Sequence, residues 1–325
     1  MEFDTFHHAY PVMLRMVAEE WSYKIVPRGF PSVELLGIQY RLKDASQRVP
    51  FIPGRRLNII FNFAEALWYL SGRDDLSFIS YYAPSIRKYS ADNVRLTGTA
   101  YGRAIFGQDE CPYQWATILE VLRSDRDSKR AVLQIFRAAE LNVDGNPDVS
   151  CTLGLQFMVR SQALHAVGFM RANDAYRGMT SDVFSFTLLQ EVLARQLGVR
   201  LGEYIHSVGS FHVYDTDKAA VAEVLADSAA WRDPRWRFPA MPDGDNWPYI
   251  QEVLVLEEAL RENRHRIDPD LAGMPGYWIQ VLLLFEIYRR LRLQESPSGD
   301  IIERLWPVYR TLIGHRWPHL LAAGA

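Results

Sequence analysis

Apolar residues recur along this chain at two spacings, and the changes between them predict its elements. AYPVMLRMVAEEW, from residue 9, repeats at helical spacing and predicts an N-terminal helix. SVELLGIQYRL (32–42) predicts a strand, and RRLNIIFNFAEALWYLSG (55–72) a strongly apolar helix closed by Gly72. CPYQWATILEVLRSD predicts an amphipathic helix and KRAVLQIF a strand. From residue 151 the period shortens to two. In CTLGLQFMV, alternation puts Cys151, Leu153, Leu155, Phe157 and Val159 on one face. RSQA reads as a turn and LHAVGFMR as the returning strand. A helix over about 180–198 ends at Gly198, and GEYIHSVGSFHVYD is another strand. The last third is helical, with Pro- and Asp-rich connections at 239–248 and 268–275. Strands and helices mix without regular βαβ alternation, which predicts an α+β fold with a largely antiparallel or mixed sheet. The 239–248 connection is a candidate boundary, but apolar periodicity continues on both sides. One elaborated domain over 1–325 is therefore expected.

Composition narrows the class. The 325 residues are 48% hydrophobic, enough for a large core. A net charge of −3 gives no global pull towards nucleic acid or acidic membranes, so basic residues must act in local clusters. No nucleic-acid partner is expected. Neither Cys111 nor Cys151 has a Cys or His at ligand spacing, so no metal is expected. The N-terminus lacks a basic segment followed by an apolar core, and YWIQVLLLFEIY is interrupted by Gln280 and Glu286. A soluble cytoplasmic protein with reduced thiols is expected.

Several residues could carry chemistry, each with a plainer alternative. Cys151 opens a strand, and Arg171 ends the strand expected to pair with it. A cation there would favour a nucleophilic thiolate, although buried cysteines are common. Glu65 has Phe61, Asn62, Trp68 and Tyr69 at helical spacing, so it is either a buried acid that moves protons or a structural carboxylate. Lys129 and Arg130, with Arg171 and Arg28, could form an anion pocket; singly, each reads as a surface charge. His212 and Tyr214 share one side of a strand, suited to a sugar hydroxyl or simply two polar tips. In RANDAYRGMTSDVFSF, Asp182 stands at a helix start, where an acid suits the helix dipole.

EALWYLSG, GTAYG, DSKRAVLQIF, CTLGLQF, RANDAYRGMTSDVFSF and GSFHVYD, in this order and spacing, resemble the thymidylate synthase family over residues 25–218. The helical C-terminal third lies outside the resemblance, and RWPHLLAAGA shows no likeness to the family's usual tail. The resemblance implies an obligate homodimer that stacks its sheets. It implies that Cys151 attacks C6 of a pyrimidine nucleotide, and that C5 takes a one-carbon unit from 5,10-methylenetetrahydrofolate. Arg28 and Arg171 would bind phosphate, with Lys129 and Arg130 supplied by the other subunit. Glu65 would organise water and proton transfer, Tyr101 would assist proton removal at C5, and His212 and Tyr214 would hold the ribose. Asp174 and Gly178 would lie between base and folate.

The departures from the family pattern point to the substrate. Uracil-acting members carry Asn where this chain has Asp182. An amide both donates and accepts, whereas a carboxylate only accepts. Facing O4 of uracil it would oppose two acceptors, but cytosine offers its N4 amino group, and N3 gains a proton when C6 is attacked. Asp182 therefore resembles the cytidylate hydroxymethylases, in which water rather than hydride completes the reaction. Ala172 replaces the usual Ser after Arg171, and Lys129 replaces one Arg of the usual pair. Both leave room for a shifted nucleotide with a 2′-hydroxyl, so CMP is expected over dCMP. This pattern looks like the CMP hydroxymethylases of mildiomycin-type nucleoside antibiotic biosynthesis. Ser150 and Thr152 flank the cysteine where the family commonly has Pro and His. The competing expectations are a dCMP hydroxymethylase, a thymidylate synthase, and a catalytically silent nucleotide- or RNA-binding regulator. Retention of Cys151, Glu65, Arg171 and Tyr101 counts against silence.

Overall fold

The computed structural model describes residues 1–107, 113–231, 233–264, 273–295 and 299–322. Cys111, the start of the helix expected from it, and most of the 268–275 connection lie outside the described residues. Among the described residues seven strands form one sheet: β1 (Glu2–Phe3), β2 (Tyr23–Ile25), β3 (Ser32–Leu42), β4 (Val132–Gln134), β5 (Thr152–Arg160), β6 (Ala163–Asp174) and β7 (Arg200–Tyr214). Their order is β1-β3-β7-β6-β5-β4, with β2 added to β3. β6 and β7 run parallel, as do β1 and β3, while the other pairs are antiparallel. The sheet is thus mixed, and helices flank it, as the α+β expectation required.

RSQA forms the tight turn between β5 and β6, with Ser161 (φ 48°) and Gln162 (φ 59°) both left-handed. Two left-handed central residues match the twist of the strands they join. KRAVLQIF gives only the three-residue β4.

Strict alternation along CTLGLQFMV fails at one residue. Leu153 is 43% exposed, while Leu155, Phe157 and Val159 are buried. The cause is a register shift between Thr152 and Gly154. Neighbouring strands change their buried face nearby: β6 buries Met170 and then Asn173, β7 Val208 and then Phe211, β3 Leu35 and then Tyr40. Glycine permits two of these changes. Gly37 has φ +66°, and a Cβ on Gly209 would stand 2.9 Å from the Arg171 carbonyl oxygen. This irregular line runs through the strand segments that carry Cys151, Arg171 and His212.

The helices are α1 (Phe6–Glu19), α2 (Ile59–Leu70), α3 (Leu76–Tyr82), α4 (Tyr101–Phe106), α5 (Gln114–Ser124), α6 (Met179–Leu197), α7 (Lys218–Ser228), α8 (Trp247–Arg261), α9 (Gly276–Arg292), α10 (Gly299–Arg304), α11 (Pro307–Arg316) and α12 (His319–Ala322). α2 starts later than its apolar pattern suggests, because Asn58 caps it by accepting from Phe61 N at 3.1 Å. Gly198, left-handed at φ 64°, closes α6.

A helix apolar on every side needs cover on every side. On one side of α2, the Phe63 ring meets Phe184 of α6 at 5.0 Å. On another it meets Phe238, Tyr277 of α9 and Tyr309 of α11 at 6.1–6.2 Å. The C-terminal helices therefore cover the helix that carries Glu65. Truncating Phe63 to Ala would cost about 3–5 kcal/mol.

Candidate active site

Cys151 lies just before β5, at the irregular line, and is partly buried. Arg171 is bound to this segment through its own backbone and side chain. Its N–H donates to the Cys151 carbonyl at 2.8 Å, Nε to the Ser150 carbonyl at 2.8 Å and Nη2 to the Val149 carbonyl at 2.9 Å. Nη2 stands 3.7 Å from Sγ. The expected cationic neighbour is present, but it does not set the thiol's state alone. Burial pushes the Cys151 thiol up, Arg171 and Arg28 pull it down, and Asp182 and Asp148 push it up again. The outcome lies above the ordinary thiol value, because desolvation outweighs the two arginines.

Ser150 stands where proline is usual, and acids do the positioning. Its N–H donates to Glu140 at 2.7 Å and its hydroxyl to the Gly98 carbonyl at 2.8 Å. The Asp148 carboxylate accepts from the backbone N–H groups of Thr97, Gly98 and Thr99 at 2.8–2.9 Å. GTAYG is thereby fastened to the cysteine segment. A Cβ on Gly98 would stand 2.1 Å from the Asp148 carbonyl oxygen, so the approach needs glycine. Tyr101 opens α4 with its ring stacked 5.0 Å from Tyr69. Its phenol is held well above the usual value, by burial and then by Cys151 and Asp182.

Two acids occupy the deep end. Glu65 is buried on α2, and burial, reinforced by Asp182, raises its carboxyl to about 8. Ser185 Oγ donates to it at 3.4 Å. Asp182 sits in the first turn of α6, where the dipole role remains compatible. Burial raises it to about 7, opposed by a 2.7 Å bond donated by Asn173 Nδ2 to Oδ2. Oδ1 carries no hydrogen bond among the described residues. Cys151, Tyr101, Glu65 and Asp182 influence one another electrostatically, and Arg171 joins them through the thiol, so the fold assembles these five residues.

The remaining residues form the rim. Asp174 and His212 are partners across β6 and β7, and the rings of His212 and Tyr214 meet edge to face at 5.3 Å. Asp174 Oδ1 accepts from the N–H groups of Tyr176 and Arg177 at 2.8 and 2.7 Å. Its Oδ2 is buried without a hydrogen bond among the described residues, and Arg177 Nε stands 3.9 Å from it. Ala172 lies opposite Ser210, whose hydroxyl donates to Glu34. A Cβ on Gly178 would stand 3.1 Å from Asp182 Oδ2, so this glycine borders the deep end as well. Arg28 is exposed and acts on Cys151, whereas Lys129 and Arg130 are exposed before β4 and bond through their backbones, to Gln156 and Ser128, outside this cluster.

Sequence reasoning missed Asn173, His206 and Tyr204. All three are buried polar residues on strands, which is the signal that marks them.

Among the described residues no group of acids, histidines or cysteines could hold a metal, and no helix is long and apolar enough to cross a membrane. The chain is 28% identical over 207 residues to the deoxyuridylate hydroxymethyltransferase of Bacillus phage SP01, covering 60% of this chain and 54% of the relative. It is 34% identical over 191 residues to the protein of the same name from Pseudomonas phage M6, covering 57% and 52%. The chain thus spans about half the length of these relatives. A thymidylate synthase family model matches residues 8–246, ending just before α8. The chain belongs to the thymidylate synthase family.

Proposed function

We propose that the protein is a CMP 5-hydroxymethylase. Cys151 Sγ, after losing its proton, adds to C6 of the pyrimidine, and the electron pair moves to C5. The co-substrate 5,10-methylenetetrahydrofolate would supply C5 with one carbon at the oxidation level of formaldehyde and leave as unoxidised tetrahydrofolate, its nitrogen keeping the electron pair of the broken carbon–nitrogen bond. Asp174 Oδ2, which carries no hydrogen bond among the described residues and has Arg177 Nε nearby at 3.9 Å, retains acceptor capacity for a folate contact, with Gly178 close to Asp182 on the same side. Tyr101, stacked on Tyr69, assists removal of the C5 proton. Glu65, protonated at neutral pH by burial, holds and moves the proton for a water that adds to the exocyclic carbon. Expulsion of Sγ from C6 then restores the ring. Arg28 and Arg171 bind the phosphate, and His212 and Tyr214 the ribose.

One observation carries the choice of base: position 182 holds a carboxylate with one oxygen bonded to Asn173 and the other open. Ionised, it accepts from N4 and from N3 once N3 is protonated. A second reading, deoxyuridylate hydroxymethylation, is favoured by the names of the two phage relatives. It requires a protonated Asp182, which can donate to O4 and accept from N3–H. The preference for ribose rests on Ala172 and Lys129.

We further infer the family's homodimer. Leu36, Leu153 and Phe169 are exposed on the sheet, which supports stacking of two sheets. Lys129 and Arg130 would then reach the partner's phosphate site. The absence of an expected nucleic-acid partner and a cytoplasmic location belong to the same proposal, as does a role in nucleoside antibiotic biosynthesis.

Mass spectrometry of products from CMP, dCMP and dUMP with methylenetetrahydrofolate tests the reaction. A gain of CH2O with fastest turnover of CMP is expected. A gain of CH2 would overturn hydroxymethylation, and fastest turnover of dUMP would overturn the choice of base.

A further inference from the structure

A row of polar side chains runs behind Asp182 without lining the proposed nucleotide pocket. Tyr204, His206 and Asn173 are 0%, 0% and 3% exposed. Tyr204 Oη lies 2.8 Å from His206 Nδ1, His206 Nε2 lies 3.0 Å from Asn173 Oδ1, and Asn173 Nδ2 lies 2.7 Å from Asp182 Oδ2. Tyr40 covers the His206 ring at a centroid distance of 5.1 Å. A buried polar row is costly unless every link is satisfied, and an apolar filling would avoid that cost.

One direction satisfies every link beside an ionised Asp182. Tyr204 donates to Nδ1, His206 donates from Nε2–H to Asn173 Oδ1, and Asn173 donates to Asp182. Reversing the row would turn the Asn173 oxygen towards the carboxylate and oppose two acceptors. Two glycines leave room for its ends. A Cβ on Gly168 would stand 2.5 Å from the Tyr204 hydroxyl, and one on Gly178 would stand 3.3 Å from Asn173 Nδ2.

We infer that Tyr204, His206 and Asn173 are positioning residues for base selectivity. They keep a donor on Asp182 Oδ2, so that Oδ1 is left as an acceptor for the base. The inference rests on the proposal above that Asp182 faces the base edge. It adds a consequence for Asp182→Asn. The same donor would hold the new amide oxygen and leave its NH2 towards the base, giving a donor in place of an acceptor. A row that loses its direction would let that amide take either orientation.

The test compares CMP and UMP binding, with kcat and KM for CMP, in the wild type, His206→Phe, His206→Gln and Tyr204→Phe. His206→Phe should lower the CMP-to-UMP binding ratio about tenfold, with KM for CMP rising and kcat little changed. His206→Gln, whose amide can donate to Asn173, should retain most of the ratio. Tyr204→Phe keeps the shape but releases the tautomer, and should lower the ratio less. If His206→Phe does not fold, Tyr204→Phe and His206→Gln decide the matter. An unchanged ratio in His206→Phe and Tyr204→Phe would overturn the inference. So would an equal weakening of both nucleotides, which marks a purely structural role. A wild type that does not prefer CMP over UMP would instead overturn the cytosine reading, and the selectivity role with it.

Discussion

At the outer end of the candidate site, Arg171 and Arg28 are exposed to solvent. At the deep end, Glu65 is buried and Asp182 only partly open, each raised far above an ordinary carboxylate by desolvation. The outer charges are permanent and screened, and suit an anion whose charge does not change. The inner charges depend on single protons and single hydrogen bonds. Under the proposed function, the outer end would govern affinity, while the inner end would govern which base is accepted and how protons move. Cys151 stands between them, pulled down by the arginines and pushed up by burial and Asp182.

The largest effect should come from the residue between the two ends. Cys151→Ser should lower turnover by about a thousandfold or more while nucleotide binding persists, measured by single-turnover kinetics and calorimetry. Binding should survive because Arg171 is held by the Val149 and Ser150 carbonyls independently of sulfur. Persisting turnover would remove the covalent step.

Asp182→Asn attacks the inner end alone. It should weaken cytosine nucleotides and improve uracil nucleotides, shifting the preference by about ten- to a hundredfold in competition binding. Unchanged preference would mean that Asp182 does not face the base. The same contrast can be adjusted with pH. Below about 7 Asp182 is protonated and can match uracil; above it the carboxylate only accepts. The preference for CMP over UMP should therefore rise several-fold between roughly pH 6 and 8, and the rise should vanish in Asp182→Asn. A flat profile in the wild type would break the link between burial and selectivity.

The smallest effect belongs to the sugar. Ala172→Ser should shift the CMP-to-dCMP ratio a few-fold towards dCMP by restoring one hydroxyl opposite Ser210. No shift would remove position 172 from the sugar contact.

Much of this comparison is legible in the chain itself. The bounds of β3, the RSQA turn and the end of α6 at Gly198 follow from local periodicity and turn chemistry, which need no distant partner. The residue types at 65, 101, 151, 171 and 182 likewise mark the chemistry, because a nucleophile, two acids, a phenol and a cation are each identifiable from side-chain chemistry.

Other features required the fold. Period two predicted Leu153 inside, but a register shift involving the neighbouring strand turned it out. The proximity of Arg171 suggested a thiolate, but burial, a property of the whole surrounding packing, outweighs it. Asn173 and His206 are 33 positions apart and meet only because β6 and β7 lie side by side. The sequence alone determined which groups this protein has and the local elements that carry them. Tertiary structure decided which groups lose water and which share a hydrogen bond, because desolvation and long-range contact exist only once the sheet and its helices have closed around them.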